Sequence, residues 1–174
     1  LKHLKNNPRL AAVLKLAAEK ANWGKPLPKG HYHGVSTHFS FNTYVAEVAE
    51  ISIDNDQVKI HKVTCAVDCG LTVNPGIVKA QMESGIIYGL TAALYGEITL
   101  KDGAVEQSNF HDYPILRMHE SPEIDVHIIE SSEAPTGVGE PGRPPSVPAL
   151  ANAIAASGPR VTLLPMVENG VAFT

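Results

Sequence analysis

Glu140 is the chemistry-bearing side chain with the most particular surroundings, set in Gly137-Val138-Gly139-Glu140-Pro141-Gly142. Glycines admit left-handed or crowded backbone, and Pro141 fixes its own φ and removes a donor. The stretch therefore shapes main chain around a single carboxylate. Downstream, Ser146 is placed to cap a helix starting near Val147, with Gly158 as its stop. Glu140 then sits on a loop feeding a helix N-terminus, where partial positive charge and free N–H groups favour anions. A carboxylate so held can act as a proton acceptor. The same residues also fit a plain turn and cap with Glu140 solvated.

Gln81 is a second candidate. Gln81, Gly85, Gly89 and Ala93 recur at helical spacing as a ridge of small residues, which lets something approach the backbone closely. Tight packing against a neighbouring element and a ligand meeting Gln81 both fit that pattern. His31, His33 and His38 crowd one segment, but their H-x-H-x4-H spacing matches no established zinc pattern, so no metal ligand is assigned. His111-Asp112 and Glu120-Ser121 lack a serine on a strained G-x-S-x-G elbow, which argues against a hydrolase. No Lys-Ser/Thr follows the glycines of 137–142, so a nucleotide P-loop is rejected. The two cysteines, Cys65 and Cys69, would lie roughly 13 Å apart on an extended segment, beyond the ~7 Å reach of a disulfide. They read as buried thiols.

Several elements must position these residues. Behind Asn7-Pro8, the helical spacing of Leu10, Val13, Leu14, Ala17 and Ala21 predicts a first helix that Gly24 ends. Residues 25–30 form a loop and a candidate boundary, dividing an N-terminal helix and linker (1–30) from a main domain (31–174). The β-formers of 43–53 predict a strand, Asp54-Asn55-Asp56 a turn and 58–67 a second strand. The apolar phase of that second strand changes near Lys62, which points to a bulge or to burial on both faces. Asn74-Pro75 opens a helix over about 76–95, with Val78, Met82, Ile86, Leu90 and Leu94 as its core ridge. Lys101-Asp102-Gly103 reads as a hairpin turn, 108–120 as irregular, 124–128 as a strand and 161–164 as the last strand. The helix over 147–157 is apolar or small on nearly every side and is expected to be buried. The order is that of an α+β fold with a mostly antiparallel sheet and packed helices.

In combination, the segment from Thr136 to Ser157, Gln81-Met82-Glu83 and Val67-Asp68-Cys69-Gly70 resemble the molybdenum hydroxylases. That is the xanthine dehydrogenase and aldehyde oxidase family, and the resemblance is strongest to bacterial isoquinoline 1-oxidoreductase-like large subunits. His38-Phe39-Ser40-Phe41-Asn42-Thr43-Tyr44-Val45 also resembles the family's H-x-S-F-x-T-Y-V, and the likeness covers roughly residues 37–165. It implies a molybdopterin-binding domain in which Glu140, in V-G-E-P, is the active-site base beside the molybdenum. Gly137, Val138 and Gly139 then line the cofactor. Gln81 stands where the family's Q-x-E-G glutamine contacts the pterin, although Gln81-Met82-Glu83-Ser84-Gly85 is one residue longer before its glycine. The implied cofactor is molybdopterin in its cytosine dinucleotide form, whose dithiolene carries the molybdenum without protein ligands.

The implied reaction is hydroxylation of an aldehyde or N-heterocyclic carbon. Electrons would leave through iron–sulfur clusters, each usually held by four thiolates, so a partner small subunit or domain is expected. Large subunits of the family are several times longer, and the chain is expected to be a C-terminal piece, inactive apart from the remainder of the large subunit. A competing reading is a non-catalytic structural or interaction domain that has shed its cofactor, and molybdenum content separates the two.

Composition narrows the class further. With 44% apolar and 18% charged residues the chain is globular. Its net charge of −4 argues against nucleic acid as a partner. The longest nearly apolar run, 86–95, is far short of the ~20 residues of a membrane span. The first residues read as the lead-in to an amphipathic helix, not as a signal peptide.

Overall fold

A computed structural model of the chain describes residues 2–158 and 160–174. Three helices, α1 (Pro8–Lys20), α2 (Pro75–Leu94) and α3 (Arg143–Ala155), pack on a sheet. Its strands β1 (His31–Ser40), β2 (Thr43–Asp54) and β3 (Gln57–Asp68) form an antiparallel meander. A separate hairpin pairs β4 (Leu100–Lys101) with β5 (Ala104–Val105), and β6 (Glu123–Ile128) and β7 (Ala172–Phe173) run parallel to β3. The architecture is the expected α+β, with antiparallel pairing dominant.

The meander turns are tight because their central residues take left-handed backbone: Phe41 and Asn42 in one, Asn55 and Asp56 in the other. Asp102 and Gly103 do the same in the predicted hairpin. Along β3 the pairing register slips between Glu50 and Ile51, whose partners are Lys62 and Ile60, so His61 is the extra residue of a bulge. Val58 and Ile60 before it, and Val63, Cys65 and Val67 after it, thereby face one core. The phase change near Lys62 has this origin.

That core lies between the sheet and α2 and α3, where Met82, Ile86, Leu90, Leu94 and Leu150 are all fully buried. On the opposite face α1 lays Val13 and Ala17 against Ala46, Val48 and Ala66. Strand alternation assigns the two sets to opposite sides, giving a helix–sheet–helix sandwich. α1 and α2 begin as read: Asn7 Oδ1 accepts from the Leu10 N–H at 3.1 Å and Asn74 Oδ1 from the Ile77 N–H at 3.2 Å. Cys65 and Cys69 are free and buried.

Two expectations are corrected, and one strand is added to those expected. α3 starts at Arg143, not near Val147, with Gly142 at the N-cap, and Ser146 lies inside it, donating its hydroxyl to the Arg143 carbonyl at 2.7 Å. Pro144 and Pro145 lack the N–H groups that a first turn leaves unpaired, so the helix starts ahead of them. Residues 161–164 are not a strand; they run over Val147, Pro148 and Ala151 of α3. The edge of β3 at Gln57 and Val58 is taken by β7 instead. The strand β1 has no predicted counterpart, because its side chains are nearly all half-buried and show no clean alternation.

Candidate active site

The start of β2 and the end of β3 make a rigid frame, with Tyr44 and Asp68 as cross-strand partners. Arg9 of α1 donates to both Asp68 oxygens, from Nε at 2.8 Å and Nη2 at 2.7 Å, and its guanidinium lies 4.7 Å over the Tyr44 ring. The Gly70 N–H donates to Asp68 Oδ1 at 3.2 Å. Arg9, helped by the Gly70 N–H and opposed by burial, holds the Asp68 carboxyl below its ordinary range. Bidentate pairing of this kind is directional as well as strong.

Residues 133–137 are laced to that frame. The Leu71 N–H donates to Glu133 O at 2.8 Å, Thr136 N–H to Cys69 O at 3.0 Å and Gly137 N–H to Phe41 O at 3.2 Å. Gly70 has φ +72°, and a Cβ there would fall on the backbone carbonyl of Ala134, so only glycine fits the approach. Thr43 is fully buried, with Oγ1 at 2.7 Å from Gly137 O and 2.6 Å from Thr136 Oγ1.

Past Gly137 the lacing stops. Among the described residues the N–H groups of Val138, Gly139 and Glu140 meet no protein acceptor. A Cβ at Gly139 would touch nothing within 4 Å, and the Glu140 side chain is exposed. Val138 packs inward on the core. The chain then turns, Arg143 N–H donating to Glu140 O at 2.9 Å, and enters α3.

Gly142 seats this turn against α2: a Cβ on it would lie 3.1 Å from Met82 O and 3.3 Å from Met82 Cα. Gln81, next to Met82 and exposed, therefore belongs to the same end of the helix pair as Glu140. The small-residue ridge behind Gln81 receives α3. A Cβ at Gly89 would fall on Ser146 Oγ and lie 2.5 Å from Arg143 O, and one at Gly85 would lie 3.3 Å from Arg143 N. Gly85 and Gly89 are buried, and of the ridge only Gln81 is open to a ligand.

Two of the three candidate histidines, His31 and His33, are occupied otherwise. His31 Nδ1 lies 3.0 Å and His33 Nε2 3.5 Å from the Glu50 carboxylate, and His31 stacks on His61 at 4.7 Å between ring centroids. A groove of about 580 Å³ lies between α1, β6 and the start of α2, lined by Leu16, Lys20, Leu71, Lys79 and His127 among others. It contains none of residues 137–140. Arg9, Thr43 and Asp68 receive no role from sequence, although Thr43 and Asp68 both fall in stretches that match the hydroxylase pattern.

The loop that follows Gly137 thus presents open backbone N–H groups beside the strand ends of an α+β sandwich. The sequence profile of the molybdopterin cofactor-binding domain matches residues 6–122, more than half of the chain, and the chain belongs to that family. Isoquinoline 1-oxidoreductase subunit beta of Brevundimonas diminuta is 40% identical over 172 residues, which cover 95% of this chain and 22% of that protein. The chain thus spans about a fifth of the length of that curated relative. Its fold is similar to that of quinoline 2-oxidoreductase from Pseudomonas putida 86 (TM-score 0.64, 21% identity, 74% of this chain and 18% of that one). Aldehyde oxidoreductase from Desulfovibrio gigas is similar too (TM-score 0.62, 20% identity, 74% and 15%).

Proposed function

We propose that the chain forms one wall of the active site of a molybdenum hydroxylase acting on an aldehyde or N-heterocyclic carbon, with Glu140 as the base. One observation carries the reading: the 137–140 loop is fastened on one side and bare on the other. The bare side fits a cofactor. Free N–H groups at Val138, Gly139 and Glu140 offer donors to an anionic or oxygen-rich group, and Gly139 leaves room for its approach. Gln81 offers an amide that can both donate and accept.

Molybdopterin, in the cytosine dinucleotide form, would rest against Gly137, Val138, Gly139 and Gln81 and would supply the two-electron oxidation chemistry. The chain's own part is to present the Glu140 carboxylate to the proton that must leave as the substrate carbon gains oxygen. Because Glu140 is exposed here, exclusion of water from it falls to residues of the remaining large subunit. Two buried cysteines cannot furnish four thiolates, so electron transfer is assigned to an iron–sulfur small subunit.

Glu140→Gln in the full-length subunit should cut kcat by roughly 10²-fold or more with molybdenum content unchanged, as loss of a general base does. Gln81→Ala should lower molybdenum or pterin occupancy instead. A Glu140→Gln enzyme keeping more than about a tenth of its turnover would sink the assignment.

A further inference from the structure

We propose that Thr43 is a positioning residue for Glu140, acting through the carbonyl of Gly137. The inference rests on the reading of Glu140 as base. Thr43 has a single hydroxyl proton, and Gly137 O, 2.7 Å away, can only accept, so the proton goes there. The Thr136 hydroxyl at 2.6 Å must then be the donor to Thr43. Both bonds converge on the Thr43 side chain, which has no solvent exposure, so its hydroxyl has no water to turn to instead.

The placement makes Thr43 a side-chain fastening point of the loop, beside the backbone bonds of Thr136 and Gly137. Its backbone is the first residue of β2 and pairs with Ser40, one position from the Tyr44–Asp68 pair that Arg9 clamps. A β-branched side chain on such a strand has few rotamers to lose. Among the described residues, no backbone N–H from Val138 to Glu140 bonds back to protein. The carboxylate is therefore aimed from anchors on either side: upstream the Thr43–Gly137 bond with the Gly137 N–H on Phe41 O, downstream the Arg143 N–H on Glu140 O and the Gly142 seat on Met82. Misplacing a catalytic group by about 1 Å can cost 10²-fold in rate. A hydroxyl at position 43 is needed for that reason, since a Val of the same shape would leave Gly137 O without its partner.

The test uses the full-length subunit with Thr43→Val, which keeps the shape, and Thr43→Ser, which keeps the hydroxyl. Turnover is measured with isoquinoline and benzaldehyde as probes, and hydrogen exchange is read at the Thr136 and Gly137 amides. Thr43→Val should exchange these amides at least about tenfold faster and lose about tenfold or more in kcat, with KM and molybdenum content near wild type. Thr43→Ser should stay within about twofold on every measure. Unchanged exchange in Thr43→Val, or equal damage in both variants, overturns the proposal. Should Thr43→Val not fold, a tenfold loss in Thr43→Ser overturns it and normal behaviour supports it. Faster exchange in Thr43→Val beside an active Glu140→Gln enzyme would retire the base and keep the anchor, so the two readings fail separately.

Discussion

Glu47 is the residue most out of keeping with its surroundings. It is fully buried on β2, between Ser36 and Cys65 across the sheet, and neither carboxylate oxygen has a hydrogen-bond partner. Burial drives its pKa well above the ordinary carboxylate range, and the Cys65 thiol is pushed up by burial and then by Glu47. In the unfolded chain the same carboxyl ionises at its ordinary, lower pKa. Its contribution to stability is therefore full below the unfolded pKa and is lost as pH rises toward the folded value, at about 1.4 kcal/mol per pH unit. Glu47→Gln removes that slope while keeping a buried polar group. In urea titrations between about pH 5 and pH 8 the variant should gain steadily on the wild type. A constant offset across that range would show that Glu47 is neutralised some other way. At this scale sequence reading is uneven. Glu140 is visible because its glycines and prolines are neighbours in the chain, whereas Asp68 and Thr43 find their partners 59 and 94 residues away.

Between elements, the decisive contact is the crossing of α2 and α3. Gly89 admits the first turn of α3 so closely that an added methyl would meet both Ser146 Oγ and the backbone carbonyl of Arg143. The hydroxyl can swing aside, but the carbonyl moves only if α3 moves. Gly89→Ala should therefore destabilise the fold by about 1–3 kcal/mol, the usual range for overpacking, and adding Ser146→Ala should recover only part of it. Gly139→Ala is the control, since its methyl meets nothing, and its denaturation midpoint should match the wild type. If Gly89→Ala unfolds at the wild-type midpoint, the crossing is looser than drawn. In sequence this ridge is ambiguous between packing and ligand approach. Helical spacing shows that a ridge exists, while its occupant is set by where a helix some sixty residues on returns. The start of α3 differs from the expected one for a related reason. Ser146 has the chemistry of a cap, but Pro144 and Pro145 suit the first turn better.

Over the whole molecule, the surface around the loop is apolar where solvent would favour polar groups. Phe41, Leu71, Val73, Ile77 and Tyr88 are each more than half exposed, Val73 at 86%. Phe41 touches Gly137, Leu71 is bonded to Glu133, and Val73 and Ile77 flank the start of α2 below Gln81. Gly85, Gly89 and most of the inner face of α3 are covered and add nothing to it. Patches beyond a few hundred Å² tend to find partners. The 174-residue chain by itself should accordingly self-associate and carry no molybdenum, because one wall cannot enclose a molybdopterin cofactor. Light scattering and metal analysis on one sample check both halves. A monomer with stoichiometric molybdenum would mean that the cofactor needs no second wall.

What the chain's order of residues determined unaided is local. The two asparagine caps, the Asp102-Gly103 turn, the core ridge of α2, the change of apolar phase near Lys62 and the bend that carries Glu140 each arise from neighbours within a turn or a strand. Tertiary structure alone decided which edge of β3 takes β7, what fills the Gly85–Gly89 groove, and that Arg9 of the first helix grips Asp68 beside the loop. These depend on contacts between distant segments. Such contacts form only once burying the apolar faces outweighs the entropy of closing the long loops between them, and no short stretch of sequence records that balance.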